Sequence, residues 1–188
     1  MSAAPGDHEI THLLAAWREG DVHAREVLMQ RVYRNVRAIA AQSLRAMPSA
    51  TLSATDLAHE ALMRLLGNEL GWNDRQHFYR VAAQATRQVL VDAARRRLAD
   101  KRGGGALHVE LEDAQGLPSP ERDEQMLRID EALHELAIDD GRRAQVVELV
   151  YFGGLSRSEV ALALAVSEGT VDRDLRLARA WLKTALRA

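Results

Sequence analysis

Two serines eleven residues apart constrain this chain most. They lie in "GGLSRSEVALALAVSEGTVDRDLRLARAWLKTAL", which starts at Gly153. Ser156 is followed three residues later by Glu159, the pattern of a capping box that opens a helix. That helix runs to about Leu164, and a tight turn follows at Ala165-Val166. Ser167 then caps a second helix with Val171, Leu175, Ala178 and Leu182 on its inner face. A short helix, a turn of a few residues and a longer helix make a helix-turn-helix. This unit presents the start of its second helix to the major groove of DNA. The outward positions of that helix are Glu168, Thr170, Arg173, Arg176 and Arg179. Arginine reads guanine bidentately or holds phosphate, and Thr170 can bond phosphate or touch a thymine methyl. Asp172 and Asp174 are expected to dilute the positive field in favour of selectivity. The turn position that often holds glycine is Ala165, which would cost on the order of 1 kcal/mol in a left-handed conformation. The plain alternative is an antiparallel helical hairpin whose arginines are a solvated face.

The rest of the chain also reads as helix. Leu13, Leu14 and Trp17 open one helix, and Gly20-Asp21 break it. Leu28, Val32, Val36 and Ile39 continue at three-to-four spacing. "TLSATDLAHEALMRLLG", from Thr51, is the next helix, with Ser53 its best cap. Phe78, Val81, Ala82, Ala85 and Val89 form a stripe on a long helix that ends in a basic run of Arg95, Arg96, Arg97, Lys101 and Arg102. Met126, Ile129, Leu133 and Leu136 mark another, and Val146, Val147, Leu149 and Val150 one more. No strand alternation is convincing. Between them, "RGGGALHVELEDAQGLPSPE" carries the glycines and prolines of a linker. The reading is therefore all-α, with a helical domain at 8–102, a flexible acidic linker at 103–120, and a helix-turn-helix domain at 121–188.

Charge narrows the function. The net charge is −2 over 188 residues, so any nucleic-acid contact must rest on local basic elements. Two such elements, the run ending at Arg102 and the final helix, flank a middle in which acids dominate. Trp72, Phe78 and Tyr79 precede the first basic run. Rings beside arginines suit single-stranded DNA, because bases stack while guanidinium groups hold the backbone. The competing reading buries Phe78 in the core and leaves the arginines to complement the helix dipole. The chain has no cysteine, which removes disulfide scaffolds, thiolate zinc sites and a cysteine nucleophile and fits a reducing cytoplasm. No apolar run is long enough to span a membrane.

One enzyme motif is present. "HEITH" matches H-E-x-x-H, which sets His8 and His12 one turn apart for zinc with Glu9 as general base. It lies just after Gly6, where little can wall a dry site. A third ligand would have to come from His23, His59, His77, His108 or His134, none of which has a supporting motif. No cofactor, metal or catalytic activity is expected. A stand-alone helix-turn-helix repressor is the other alternative. It would need a ligand or dimer domain in the N-terminal half.

The motifs together resemble a bacterial RNA polymerase sigma factor of the extracytoplasmic-function (ECF) group. "LLAAWREGDVHAREVLMQRVY" resembles the first stretch of sigma region 2, and "ATDLAHEALMRLL" the helix that docks on the polymerase clamp. "HFYRVAAQATRQVLVDAARRRLADKRGGG" resembles the helices that melt the promoter and read the minus-ten element. "VVELVYFGGLSRSEVALALAVSEGTVDRDLRLARAWL" resembles the sigma region 4 domain that reads the minus-thirty-five element. "KRGGG" and "LARAWL" are similar to a subgroup found beside serine/threonine kinases. The resemblance implies partners in core RNA polymerase, at its clamp and flap, and in promoter DNA. It also implies control without a dedicated anti-sigma factor. By the same resemblance the upstream element meets Thr170, Arg173 and Arg176, with Ser156 and Arg157 near phosphates. The downstream element meets Gln84, Arg87, Gln88 and Arg95, and a flipped base lies by Trp72 and Asn73. The clamp meets Asp56, His59, Glu60 and Arg64.

Such factors usually carry an acidic Asp-Ala-Glu-Asp-Leu cluster where this chain has "SATDL". Only Asp56 remains of its acids. Phosphate adds about −1.5 to −2 charges near neutral pH, and a helix start accepts an anion. The expectation is a serine/threonine kinase switch, with Thr51 first, Thr55 second, and Ser53 occupied as the cap.

Overall fold

The structure is a computed structural model that describes residues 5–44, 53–67, 75–102 and 120–187. These form eight α-helices and no strand. Thr51, Trp72, Asn73 and nearly all of the linker at 103–120 lie outside the described residues.

Helix α1 (Pro5–Arg18) ends where Gly20 takes φ 94°, and α2 (Val22–Leu44) starts at once. The Asp21 carboxylate accepts the amides of His23 and Ala24 at 2.8 and 3.1 Å, so the break is also a cap. Helix α2 buries Leu28, Val32 and Val36, and α3 (Ala54–Gly67) buries Leu57, Ala61 and Leu65. The spacing in both cases is one face of a helix.

Helix α4 (Arg75–Arg102) is the axis of the molecule. Phe78, Ala82, Val89 and Ala93 are buried on it, but so are Ala83, Leu90, Val91 and Ala94. A helix apolar around most of its circumference has neighbours on several sides. On α4 these are α1, α2 and α3 together with α5 (Pro120–Asp139), α6 (Gly141–Tyr151) and α7 (Arg157–Ala163). Buried Thr86 satisfies its hydroxyl on the carbonyl of Ala82 at 2.9 Å.

Helix α6 starts at Asp140, whose side chain accepts the amide of Arg143 at 3.1 Å. It stops because glycine is required twice. A Cβ on Gly153 would stand 2.5 Å from the carbonyl oxygen of Leu149, and Gly154 sits at φ 67°. Helix α8 (Glu168–Ala185) closes the fold against α6, α7 and α5. One continuous core runs from Leu14 through Phe78 to Ala178. The stretches read from sequence as separate domains thus lie against each other, with α4 packed on α5.

Candidate nucleic-acid and polymerase interface

The helix-turn-helix is built by its caps. The Ser156 hydroxyl accepts the amide of Glu159 at 3.3 Å, and one Glu159 carboxylate oxygen accepts the amide of Ser156 at 2.8 Å. This is the reciprocal capping box. After α7 the amide of Val166 returns to the carbonyl of Ala161 at 2.9 Å, and Ala165 takes φ 53°. The turn therefore needs the left-handed conformation and has alanine there. Ala165→Gly removes the Cβ clash. It is expected to raise stability by roughly 0.5–1 kcal/mol in denaturant unfolding, because relief of the clash outweighs glycine's added chain entropy. A loss of stability would show that the alanine methyl packs usefully.

Ser167 caps α8 by accepting the amide of Thr170 at 3.1 Å. The two hydroxyls also meet at 2.9 Å. Val171, Leu175 and Ala178 are buried as the periodicity predicts. Arg173, Arg176 and Arg179 are exposed. Arg173 is the freest of those with a recorded contact, since its closest carboxylate oxygen is 3.9 Å away on Asp174. Arg179 is held instead, donating to the Tyr151 hydroxyl at 2.8 Å with its guanidinium over that ring.

The two aspartates of α8 are placed differently. Asp174 is buried and takes Arg142 of α6 at 2.8 Å, so it anchors the helix. Asp172 is exposed and pairs with Arg157 at 2.7 Å. That surface pair is worth well under about 1 kcal/mol, so Arg157 can exchange it for a phosphate at little cost.

The second surface is α3 and the α4 face beside it. Ser53 and Asp56 cap each other. The Ser53 amide donates to the Asp56 carboxylate at 2.9 Å, and the Asp56 amide to the Ser53 hydroxyl at 3.2 Å. These bonds, the backbone one foremost, hold the Asp56 carboxyl below its ordinary range. Asp56 and His59 are exposed, and the His59 ring lies 5.4 Å from that of Tyr33. Glu60 and Arg64 are less free. Arg64 reaches Glu60 at 2.6 Å and Asp92 at 2.9 Å, and Arg96 also takes Glu60 at 3.2 Å. The sequence places Arg96 only in the basic run that ends α4, and nothing in it ties Arg96 or Asp92 to α3.

Along α4, Gln88 and Arg95 are exposed and Gln84 is half-buried. Arg87 differs from the rest of the candidate set. Its side chain is only 11% exposed, 3.1 Å from Glu148 and 3.6 Å from Asp130. The carboxyl of Glu148 lies above its ordinary value because it is buried, with Arg87 opposing the rise. Phe78 and Tyr79 are both buried, so neither is a stacking platform.

Of the zinc motif, His12 is exposed, and among the described residues no group of His, Asp and Glu could hold a metal. No described helix is long and apolar enough to cross a membrane.

No curated protein matches the chain. The profile of the ECF sigma factor family matches residues 7–188. That span takes in the capped helix-turn-helix, the α3 surface and the basic helix α4, and the chain belongs to the ECF sigma factor family.

Proposed function

We propose that this sigma factor reads the upstream promoter element with Thr170, Arg173 and Arg176 while Ser156 and Arg157 sit near phosphates. The observation that carries the reading is the start of α8. It is capped by Ser167 and presents exposed arginines on one side, while Val171, Leu175 and Asp174 fix the other. Asp56, His59, Glu60 and Arg64 of α3 face the polymerase clamp. Gln84, Arg87, Gln88 and Arg95 serve the downstream element, with Trp72 and Asn73 at a flipped base. Run-off transcription with core RNA polymerase on a genomic library is expected to yield discrete start sites that share an upstream motif. Initiation no different from core polymerase alone would refute it.

The clamp-facing helix start is the regulated part. Ser53 has both its amide and its hydroxyl engaged with Asp56, which leaves Thr51 and Thr55 for a serine/threonine kinase. Thr51 ranks first as the residue that precedes the helix, and Thr55 second, within the first turn. A phosphate there would restore the anionic charge that the single Asp56 supplies only in part. The kinase-linked subgroup and control without an anti-sigma factor belong to the same reading. The run-off assay is repeated with Thr51→Ala, Thr51→Asp, Thr55→Ala and Thr55→Asp. Alanine variants that stay fully inducible in cells would remove the switch.

A further inference from the structure

Asp172 is an acid among arginines. It stands on the second turn of α8, next to Arg173 and one turn before Arg176. Its side chain is 58% exposed, and its partner Arg157, the first residue of α7, lies 2.7 Å away with 57% exposed. The pair joins the start of α7 to the exposed side of α8.

The structural duties of an acid on this helix are met by other residues. Ser167 makes the cap. Glu168 is the acid in the first turn, where the helix dipole favours one, and Asp172 lies beyond that turn. Asp174 is buried and anchors α8 to α6 through Arg142. An exposed ion pair such as Asp172–Arg157 stabilises a fold only weakly. Against DNA the carboxylate is unfavourable wherever it meets phosphate, because the two anions repel. It is favourable only where a base presents a donor.

We propose that Asp172 is a base reader of the upstream element, accepting a hydrogen bond from the N4 amine of a cytosine in the major groove while Arg157 leaves it for a phosphate. This rests on the reading of α8 as the helix that meets that element. A carboxylate only accepts and a guanidinium only donates. Guanine presents two acceptors in the major groove and thymine an acceptor and a methyl, so both oppose a carboxylate. Adenine sets an acceptor beside its donor, which suits an amide side chain better. Cytosine presents its amine alone. The helix then carries both polarities, with Arg173 and Arg176 suited to guanine and Asp172 to cytosine.

Arg157 makes the acid tolerable before binding. In the free chain its guanidinium covers the carboxylate. A phosphate accepts a guanidinium in the same two-pronged way as a carboxylate. On a cognate site Arg157 passes to the backbone and Asp172 to the amine, so neither charge is left without a partner.

The test uses the full-length protein with core RNA polymerase. The upstream element of a responsive promoter is randomised one base pair at a time, and run-off transcripts are counted for each template. The wild-type chain is expected to prefer cytosine at one position by about tenfold. Asp172→Ala should erase that preference and leave those at the other positions. Arg157→Ala should lower transcription from every template alike and keep the cytosine preference, because phosphate contacts carry no base identity. Both side chains are exposed, so neither substitution opens the core. An upstream motif with no cytosine preference would overturn the proposal. So would an Asp172→Ala protein that is more active on all templates with unchanged base preferences, which would make Asp172 only a diluter of positive charge. Loss of the cytosine preference in Arg157→Ala would make the pair a brace between helices and overturn it as well. If the wild-type chain yields no upstream motif at all, the proposed function fails instead.

Discussion

Arg173→Ala is expected to bring promoter-specific transcription to background while leaving affinity for core polymerase unchanged. A bidentate arginine–guanine contact discriminates by about 1–3 kcal/mol, and Arg173 is one of the few residues proposed to read the upstream element. The substitution is clean in this fold. Arg173 is exposed and its closest carboxylate oxygen is 3.9 Å away, whereas its helix is fixed by Val171, Leu175 and the Asp174–Arg142 pair. Loss of the guanidinium should therefore leave the cap at Ser167 and the packing of α8 intact. Its surface is also distinct from α3, so polymerase docking measures the fold independently. The check is run-off transcription from a cognate promoter beside a pull-down with core polymerase. Unchanged transcription would place base recognition elsewhere on the molecule.

Phe78→Ala is expected to cost about 3–5 kcal/mol of unfolding free energy, read from denaturant titration followed by circular dichroism. Phe78 is among the largest fully enclosed side chains and is 2% exposed. Its ring lies 5.8 Å from that of Tyr79, near the start of α4, beside Val32 and Val36 of α2 and Phe152. For a chain of this length the melting temperature should fall by roughly 2–4 °C for each kcal/mol. A near-neutral result would mean that the ring faces solvent and is free to stack on a base.

Phe78 shows what a sequence can and cannot settle. Its period placed it on an apolar stripe, while the aromatics Trp72 and Tyr79 and the basic run that ends the same helix suggested a stacking surface. Periodicity was the better guide, because it reports a face that a whole helix must bury. The caps that open α7 and α8 were legible for a related reason. Ser156 with Glu159, and Ser167 with Thr170, are bonds within one turn, and local chemistry is written in consecutive residues. Spacing placed the turn at Ala165, while its left-handed conformation is seen only in the structure.

The burial of Arg87 and of Asp174 was not legible, in both cases for one reason. Each is partnered across the fold, Arg87 with Glu148 and Asp130, and Asp174 with Arg142. Nothing in the period of one helix tells whether a charge on it faces water or an opposite charge brought in from another. Asp123 and Asp130 stood in the sequence only as members of the acid-rich middle, for the same reason. In the fold they are buried against α4.

Glu159 divides its labour between two oxygens. One accepts the Ser156 amide and hydroxyl and so holds the first turn of α7 in place; the other accepts Arg31 from α2. The bond that ties α7 to α2 is thus separate, atom by atom, from the bonds that shape the start of α7. Loss of the Arg31 contact would leave every cap of α7 and α8 made, so the local shape of the C-terminal helices does not depend on α2.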